Sequence, residues 1–128
     1  MKIEHLALNV PDPVAMAQWY EEYLGMKVVK AGNEAPFVRF IADDSGTMLE
    51  LYQNTNAPIL EFNSIHHLSL HLAFLSDNPR SDVKRLAVAG ATFVEELNTP
   101  EGDCIAMMKD PWGVAIQLCK RANKLCSE

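Results

Sequence analysis

Two histidines head nearly the same phrase. The stretch HLALNVPDP begins at His5 and HLAFLSDNP at His71, and in each a proline follows eight residues after the histidine. Imidazole is the commonest side-chain ligand of divalent transition ions, so its repetition at matching places points to metal chemistry. Two more polar residues stand among apolar neighbours, Glu50 in TMLELYQ and Gln117 in VAIQLCK, each four residues after a glycine, Gly46 or Gly113. Two imidazoles, a carboxylate and an amide oxygen form a donor set for Zn, Ni, Fe, Mn or Co, with positions left for water or substrate.

The elements needed to position these residues are also written twice. Asp12 is placed as a helix N-cap, Pro13 opens the first turn, apolar positions follow at 17, 20 and 24, and Gly25 stands just past the end. Asn78, Pro79, Val83, Leu86 and Gly90 repeat that pattern. Strand-forming stretches follow each helix, MKVVKA and ATFVEEL, then the hairpins PFVRFIADDSGTMLELYQ and CIAMMKDPWGVAIQLCK. The halves are offset by 65 to 67 residues at successive landmarks, so the chain reads as one domain of two βαβββ modules, 1–53 and 65–121, joined by a linker at 54–64. The expected fold class is α+β, with a curved, barrel-like mixed sheet around a cavity and the helices outside.

Alternation along strands sorts the side chains. Leu6, Leu8 and Val10 share the face a helix would cover, leaving His5, Ala7 and Asn9 opposite. In the second copy, Leu68, Leu70, Leu72 and Phe74 oppose His67, Ser69, His71 and Ala73. Glu50 and Gln117 likewise fall opposite their apolar neighbours. A twofold relation between the modules would bring His5, Glu50, His71 and Gln117 together.

Composition narrows the partner. A net charge of -6 over 128 residues leaves no basic stripe for phosphates, so nucleic acid and anionic membrane surfaces are disfavoured and a small-molecule substrate is expected. No apolar run approaches the roughly 18 residues of a membrane span, and MKIEHLALNV interrupts any secretory signal with Glu4 and His5. Three cysteines without a C-x-x-C spacing suit a reducing compartment, and a cytoplasmic location is expected.

HLALNVPDPVAMAQWYEEYLGMKVV, GTMLELYQ, HLAFLSDNPRSDVKRLAVAGATFVEE and KDPWGVAIQL, in this order and spacing, resemble the vicinal oxygen chelate superfamily of glyoxalase I, methylmalonyl-CoA epimerase, extradiol dioxygenases and bleomycin-resistance proteins. The resemblance implies a metal ligand from the first and last strand of each module, here His5, Glu50, His71 and Gln117, and a homodimer. It also implies a lyase or isomerase of glyoxalase type, acting on an oxygen-chelating substrate through an enediolate. The alternative it implies is a metal-free sequestration protein of bleomycin-resistance type, with an iron oxygenase a more distant third. In glyoxalase-like and epimerase relatives the catalytic glutamate usually lies in the second module, where this chain has Gln117, which cannot take a proton, so either Glu50 is the catalytic base by pseudosymmetry or the protein does no proton-transfer chemistry.

Two further residues are candidates for substrate binding. If the first hairpin turns at Asp44 and Ser45, Arg39 lies across from Glu50 and can anchor a carboxylate or phosphate, or form an ion pair with Glu50. His67, on the strand face of His71, can line the pocket or orient that ligand.

Overall fold

The computed structural model describes residues 1–126. The chain divides into two compact units, Met1–Leu60 and Glu61–Glu128. The first unit holds β1 (His5–Asn9), α1 (Pro13–Leu24), β2 (Lys27–Ala31), β3 (Arg39–Ala42) and β4 (Met48–Tyr52). The second holds a short 3-10 turn (Phe62–Ser64), β5 (Leu72–Leu75), α2 (Pro79–Val88), β6 (Thr92–Asn98), β7 (Cys104–Lys109) and β8 (Ala115–Lys120). Each unit has its own four-stranded mixed sheet, ordered β1-β4-β3-β2 in the first and β5-β8-β7-β6 in the second, and the class is α+β. No helix among the described residues is long and apolar enough to cross a membrane.

In the first unit the caps act as their residue types require. The Asp12 carboxylate accepts from the Ala15 N–H at 3.0 Å, and Gly25 takes the left-handed conformation at φ 71° that ends α1. Helix α1 buries Met16, Ala17, Trp19 and Tyr20, while the sheet contributes Leu8, Ile41, Leu49 and Leu51 to the core. Strand β1 runs parallel to β4 in the register His5↔Met48 and Ala7↔Glu50, so His5 and Glu50 share a face. The start of the linker is tied to β1 by Asn9, whose amide donates to the carbonyls of Asn54, Ala57 and Pro58 and accepts from the Asn54 N–H.

The β3–β4 hairpin corrects one expectation. Its loop is a residue longer than a turn centred on Asp44 and Ser45, because the Asp43 carboxylate accepts from the N–H groups of Ser45 and Thr47. Asp43 N–H also closes on the Thr47 carbonyl at 3.0 Å. Ala42 therefore pairs with Met48, which sets Phe40, not Arg39, opposite Glu50. A shift of one residue exchanges the faces of a strand, so Arg39 pairs with Leu51.

The second unit departs from expectation at its first strand. Residues 67–71 alternate like a strand, but the chain turns there: the N–H groups of Ser69 and Leu70 donate to the His66 carbonyl, and Leu68 N–H donates to the His66 ring at 3.1 Å. Pairing with β8 begins only at Leu72↔Ile116. Leu68 consequently stays exposed, and the core is built from Leu86, Ala106, Met108, Val114, Ile116 and Leu118.

The β7–β8 turn is held by buried Asp110, which accepts from the N–H groups of Trp112 and Val114, each at 2.9 Å. Gly113 in this turn has φ 90°, and a Cβ there would collide with Asn63 Oδ1 and lie 2.8 Å from the Asn63 backbone nitrogen. Gly46 has the same φ, but nothing lies within 4 Å of a Cβ built there. Gly46→Ala should therefore carry only the left-handed strain, about 1–2 kcal/mol. Gly113→Ala adds a collision with the backbone that anchors the 3-10 turn, for a total of about 2–5 kcal/mol. Urea unfolding midpoints of the two variants check this, and equal losses would show that the Asn63 contact yields freely.

Candidate functional site

Each unit presents one histidine facing one polar side chain from its last strand. In the first unit, His5 Nε2 lies 3.6 Å from Glu50 Oε1, and His5 Nδ1 is 2.8 Å from Glu4 Oε1. The ring thus stands between two carboxylates, with Glu4 at Nδ1 and Glu50 at Nε2. Phe40 packs edge-on against the His5 ring, with centroids 5.4 Å apart. The aromatic ring opposite Glu50 thus bears on the ring orientation of His5.

The second unit repeats the arrangement with different partners. His71 Nδ1 is 2.8 Å from the His67 carbonyl oxygen, which can only accept, so the proton sits on Nδ1 and the Nε2 lone pair is available. Gln117 Nε2 lies 3.4 Å from that His71 Nε2. The other end of the amide is engaged as well, since Cys119 Sγ donates to Gln117 Oε1 at 2.7 Å. Burial pushes the Cys119 thiol up from its ordinary pKa, which keeps it a donor.

In each unit the pair is spaced as two donors to one ion would be. Two donors about 2.0–2.2 Å from one ion at a tetrahedral angle stand about 3.4 Å apart. The His5–Glu50 separation of 3.6 Å and the His71–Gln117 separation of 3.4 Å match that span. Each histidine also has its second nitrogen fixed by an oxygen, as ligating histidines almost always do. For Gln117 to ligate, its amide must turn so that oxygen replaces nitrogen beside His71, which leaves an N–H for Cys119 Sγ. Among the described residues, no group of three or more His, Cys, Asp or Glu side chains gathers at one point.

The two candidate substrate residues sit differently from the sequence expectation. The Arg39 guanidinium donates from NH1 to the carbonyls of Gly32 and Val38, at 2.7 and 3.0 Å, so it straps the β2–β3 connection instead of facing Glu50. His67 shares no strand face with His71. Its ring stacks on His66 with centroids 4.3 Å apart and its Nε2 meets Glu95 Oε1 at 2.8 Å, while its backbone carbonyl does the orienting of His71. Phe40, Cys119 and Glu4 were not singled out from the sequence. Phe40 had a readable signal there in the Asx-turn pattern of DDSGT, and Cys119 one in its place two residues after Gln117 on the same strand face.

Comparison with known proteins agrees with this architecture. The family described as the Glyoxalase/Bleomycin resistance protein/Dioxygenase superfamily matches residues 2–118. The uncharacterized protein YwbC of Bacillus subtilis (strain 168) is 28% identical over 127 residues, covering 94% of this chain and 98% of its own. Among solved structures, TnmS3, an antibiotic binding protein from Streptomyces sp. CB03234, superposes with a TM-score of 0.72 at 22% identity, covering 95% of this chain and 97% of that one. A glyoxalase I mutant from Zea mays gives a TM-score of 0.73 at 21% identity, covering 95% of this chain and 46% of the longer plant chain. With two βαβββ units and a family match across nearly all of its length, the chain belongs to the glyoxalase/bleomycin resistance protein/dioxygenase superfamily.

Proposed function

We propose that the protein is a metal-dependent lyase or isomerase of glyoxalase type, in which His5, Glu50, His71 and Gln117 hold one divalent ion and Glu50 moves the proton. The observation that carries this reading is the repeated pair geometry: in each unit an imidazole whose Nδ1 is bonded to an oxygen presents Nε2 to a last-strand side chain 3.4 to 3.6 Å away. When bound, the ion supplies a Lewis acid for two neighbouring oxygens of a small substrate, drawing off the charge that develops as a proton leaves the adjacent carbon.

The residues of the chain do the remaining work. Glu50 accepts that proton and returns it at the same or a neighbouring carbon. Phe40, against His5 and opposite Glu50, narrows the path of water to the carboxylate. Gln117 contributes a neutral donor, so the donor set carries a single negative charge from Glu50. Arg39 and His67, already committed to Gly32, Val38 and Glu95, are assigned no substrate contact in this scheme. The active assembly is proposed to be a homodimer in the cytoplasm.

Metal content tests the reading. Protein purified without chelator should contain about one divalent ion per chain by mass spectrometry, and chelator-stripped protein should take up Zn, Ni, Fe(II), Mn or Co to the same level. Failure to retain any of the five at micromolar concentration overturns the enzyme reading in favour of metal-free ligand binding.

A further inference from the structure

We propose, resting on the metal-dependent reading of His5 and Glu50, that Lys30 anchors an anionic group of the substrate, which is then an oxo or hydroxy acid carrying a second carboxylate. On a regular strand Lys27 and Lys30, three residues apart, would point to opposite faces. In β2 the register shifts between Val28 and Lys30, so Lys27 pairs with Ala42, Val28 with Ile41 and Lys30 with Phe40. A bulge of this kind re-aims the side chains that follow it. Without the extra residue Val29, Lys30 would stand across from Arg39, on the face of buried Ile41. With it, Lys30 joins the row Lys30–Phe40–Glu50–Ala7 and Lys27 the row Lys27–Ala42–Met48–His5. Both lysines therefore belong to the sheet face that carries His5 and Glu50.

The Lys30 ammonium is drawn inward over the sheet. Its Nζ stands over the Phe40 ring, 5.9 Å from the centroid, and the same ring packs edge-on against His5 at 5.4 Å. Strand β2 is an edge of its sheet and all five of its residues are exposed, so a ligand reaches Lys30 without disturbing the core. Among the described residues neither Lys27 nor Lys30 has an ion pair. Strands about 4.8 Å apart put the Lys30 backbone about 10 Å from that of Glu50. With two substrate oxygens held beside His5 and Glu50, a carboxylate a few bonds further along the molecule meets the three donors of the ammonium. The second unit has the same bulge, between Phe93 and Glu95, and the matching row Glu95–Met107–Gln117–Ala73. There the place of Lys30 is taken by Glu95, which already meets His67 Nε2 at 2.8 Å. Of the two matched places, the first holds a cation without an ion pair and the second a carboxylate that has one.

Calorimetric titration of metal-loaded and of chelator-stripped protein with 2-oxohexanedioate and 2-oxohexanoate tests the anchor, because the two acids share the chelating oxygens and the chain length and differ in the terminal carboxylate. The metal-loaded wild type should bind the dioate about tenfold more tightly, the order of effect of one hydrogen-bonded charge contact. Lys30→Gln should abolish that preference while taking up the ion as the wild type does, and Lys30→Arg should keep it. Equal affinities for the two acids in the metal-loaded wild type, or a preference that survives in Lys30→Gln, overturns the anchor and leaves the metal-dependent reading standing. If the wild type takes up no ion, that reading falls instead and the stripped protein decides: a preference for the dioate that Lys30→Gln loses keeps Lys30 as an anion site, and no preference removes it.

Discussion

Glu50→Gln is expected to slow hydrogen exchange at the substrate carbon by about 10²- to 10⁴-fold, the usual contribution of a positioned base, while retaining most of the bound ion. The two side chains are nearly isosteric, and the amide keeps an oxygen for coordination but has no site for a proton. The register of the first hairpin strengthens this expectation. An Arg39 guanidinium across from Glu50 would tie the carboxylate into an ion pair and hold it ionised, making it a poor base. With Phe40 in that position and Arg39 bonded to Gly32 and Val38, the His5 imidazole, at 3.6 Å, is the close polar neighbour of Glu50 among the described residues. The measurement is proton NMR in deuterium oxide with any hydroxycarbonyl or dicarbonyl compound that the wild type turns over. Exchange at the wild-type rate in a metal-loaded Glu50→Gln protein would leave Glu50 a ligand at most and remove the base from the proposed mechanism. Gln117→Glu provides the counterpart: a second carboxylate beside His71 should preserve or raise activity, because it adds a proton acceptor at the pseudo-equivalent position.

What the sequence made legible follows from which interactions are local. Helix starts rest on one side chain and the backbone three residues on, so Asp12 with Ala15 and Asn78 with Ser81 were readable from residue type and spacing alone. The order of strands followed from the duplication, and the placement of His5 and Glu50 on one face followed from alternation along two strands paired in parallel. Register was harder, because it depends on a loop whose length is set by side-chain bonds. The Asp43 carboxylate, gathering Ser45 and Thr47, moved the hairpin by one residue and exchanged Arg39 for Phe40.

Other features depend on contacts that no periodicity encodes. Residues 67–71 satisfy the strand pattern as well as β1 does, yet the backbone bonds to the His66 carbonyl favour a turn and delay β5 until Leu72. The outcome for function is small, because the turn still delivers a carbonyl to His71 Nδ1, from the residue expected to help through its ring. The contact of Cys119 with Gln117 joins positions two apart on one strand face, so the neighbourhood was legible, but the amide orientation it imposes was not. Asn9, opposite the helix-covered face and beside the candidate ligands in the pattern, proves to be structural: all its side-chain bonds go to residues 54–58.

His5→Ala and His71→Ala should each lower metal affinity by more than 100-fold while leaving the fold intact. Losing a partner that merely orients a ligand reduces affinity about 10- to 100-fold, and removing a nitrogen from the ion itself should exceed that. The fold should tolerate both changes because neither ring is in a core. The His5 side chain is 35% exposed and its closest polar neighbours are Glu4 and Glu50, while His71 precedes β5 and bonds to a turn carbonyl. Metal uptake by the stripped variants, read by competition with a chromophoric chelator beside a thermal melt, separates loss of ligand from loss of structure. The two variants also report on each other. If the four residues serve one ion, the affinities of both variants should fall together, since each variant keeps three of the four protein donors and only one of the two imidazoles. Loss of metal in His5→Ala with full retention in His71→Ala would instead confine the ion to the first unit, and Gln117 would have no ligand role to play.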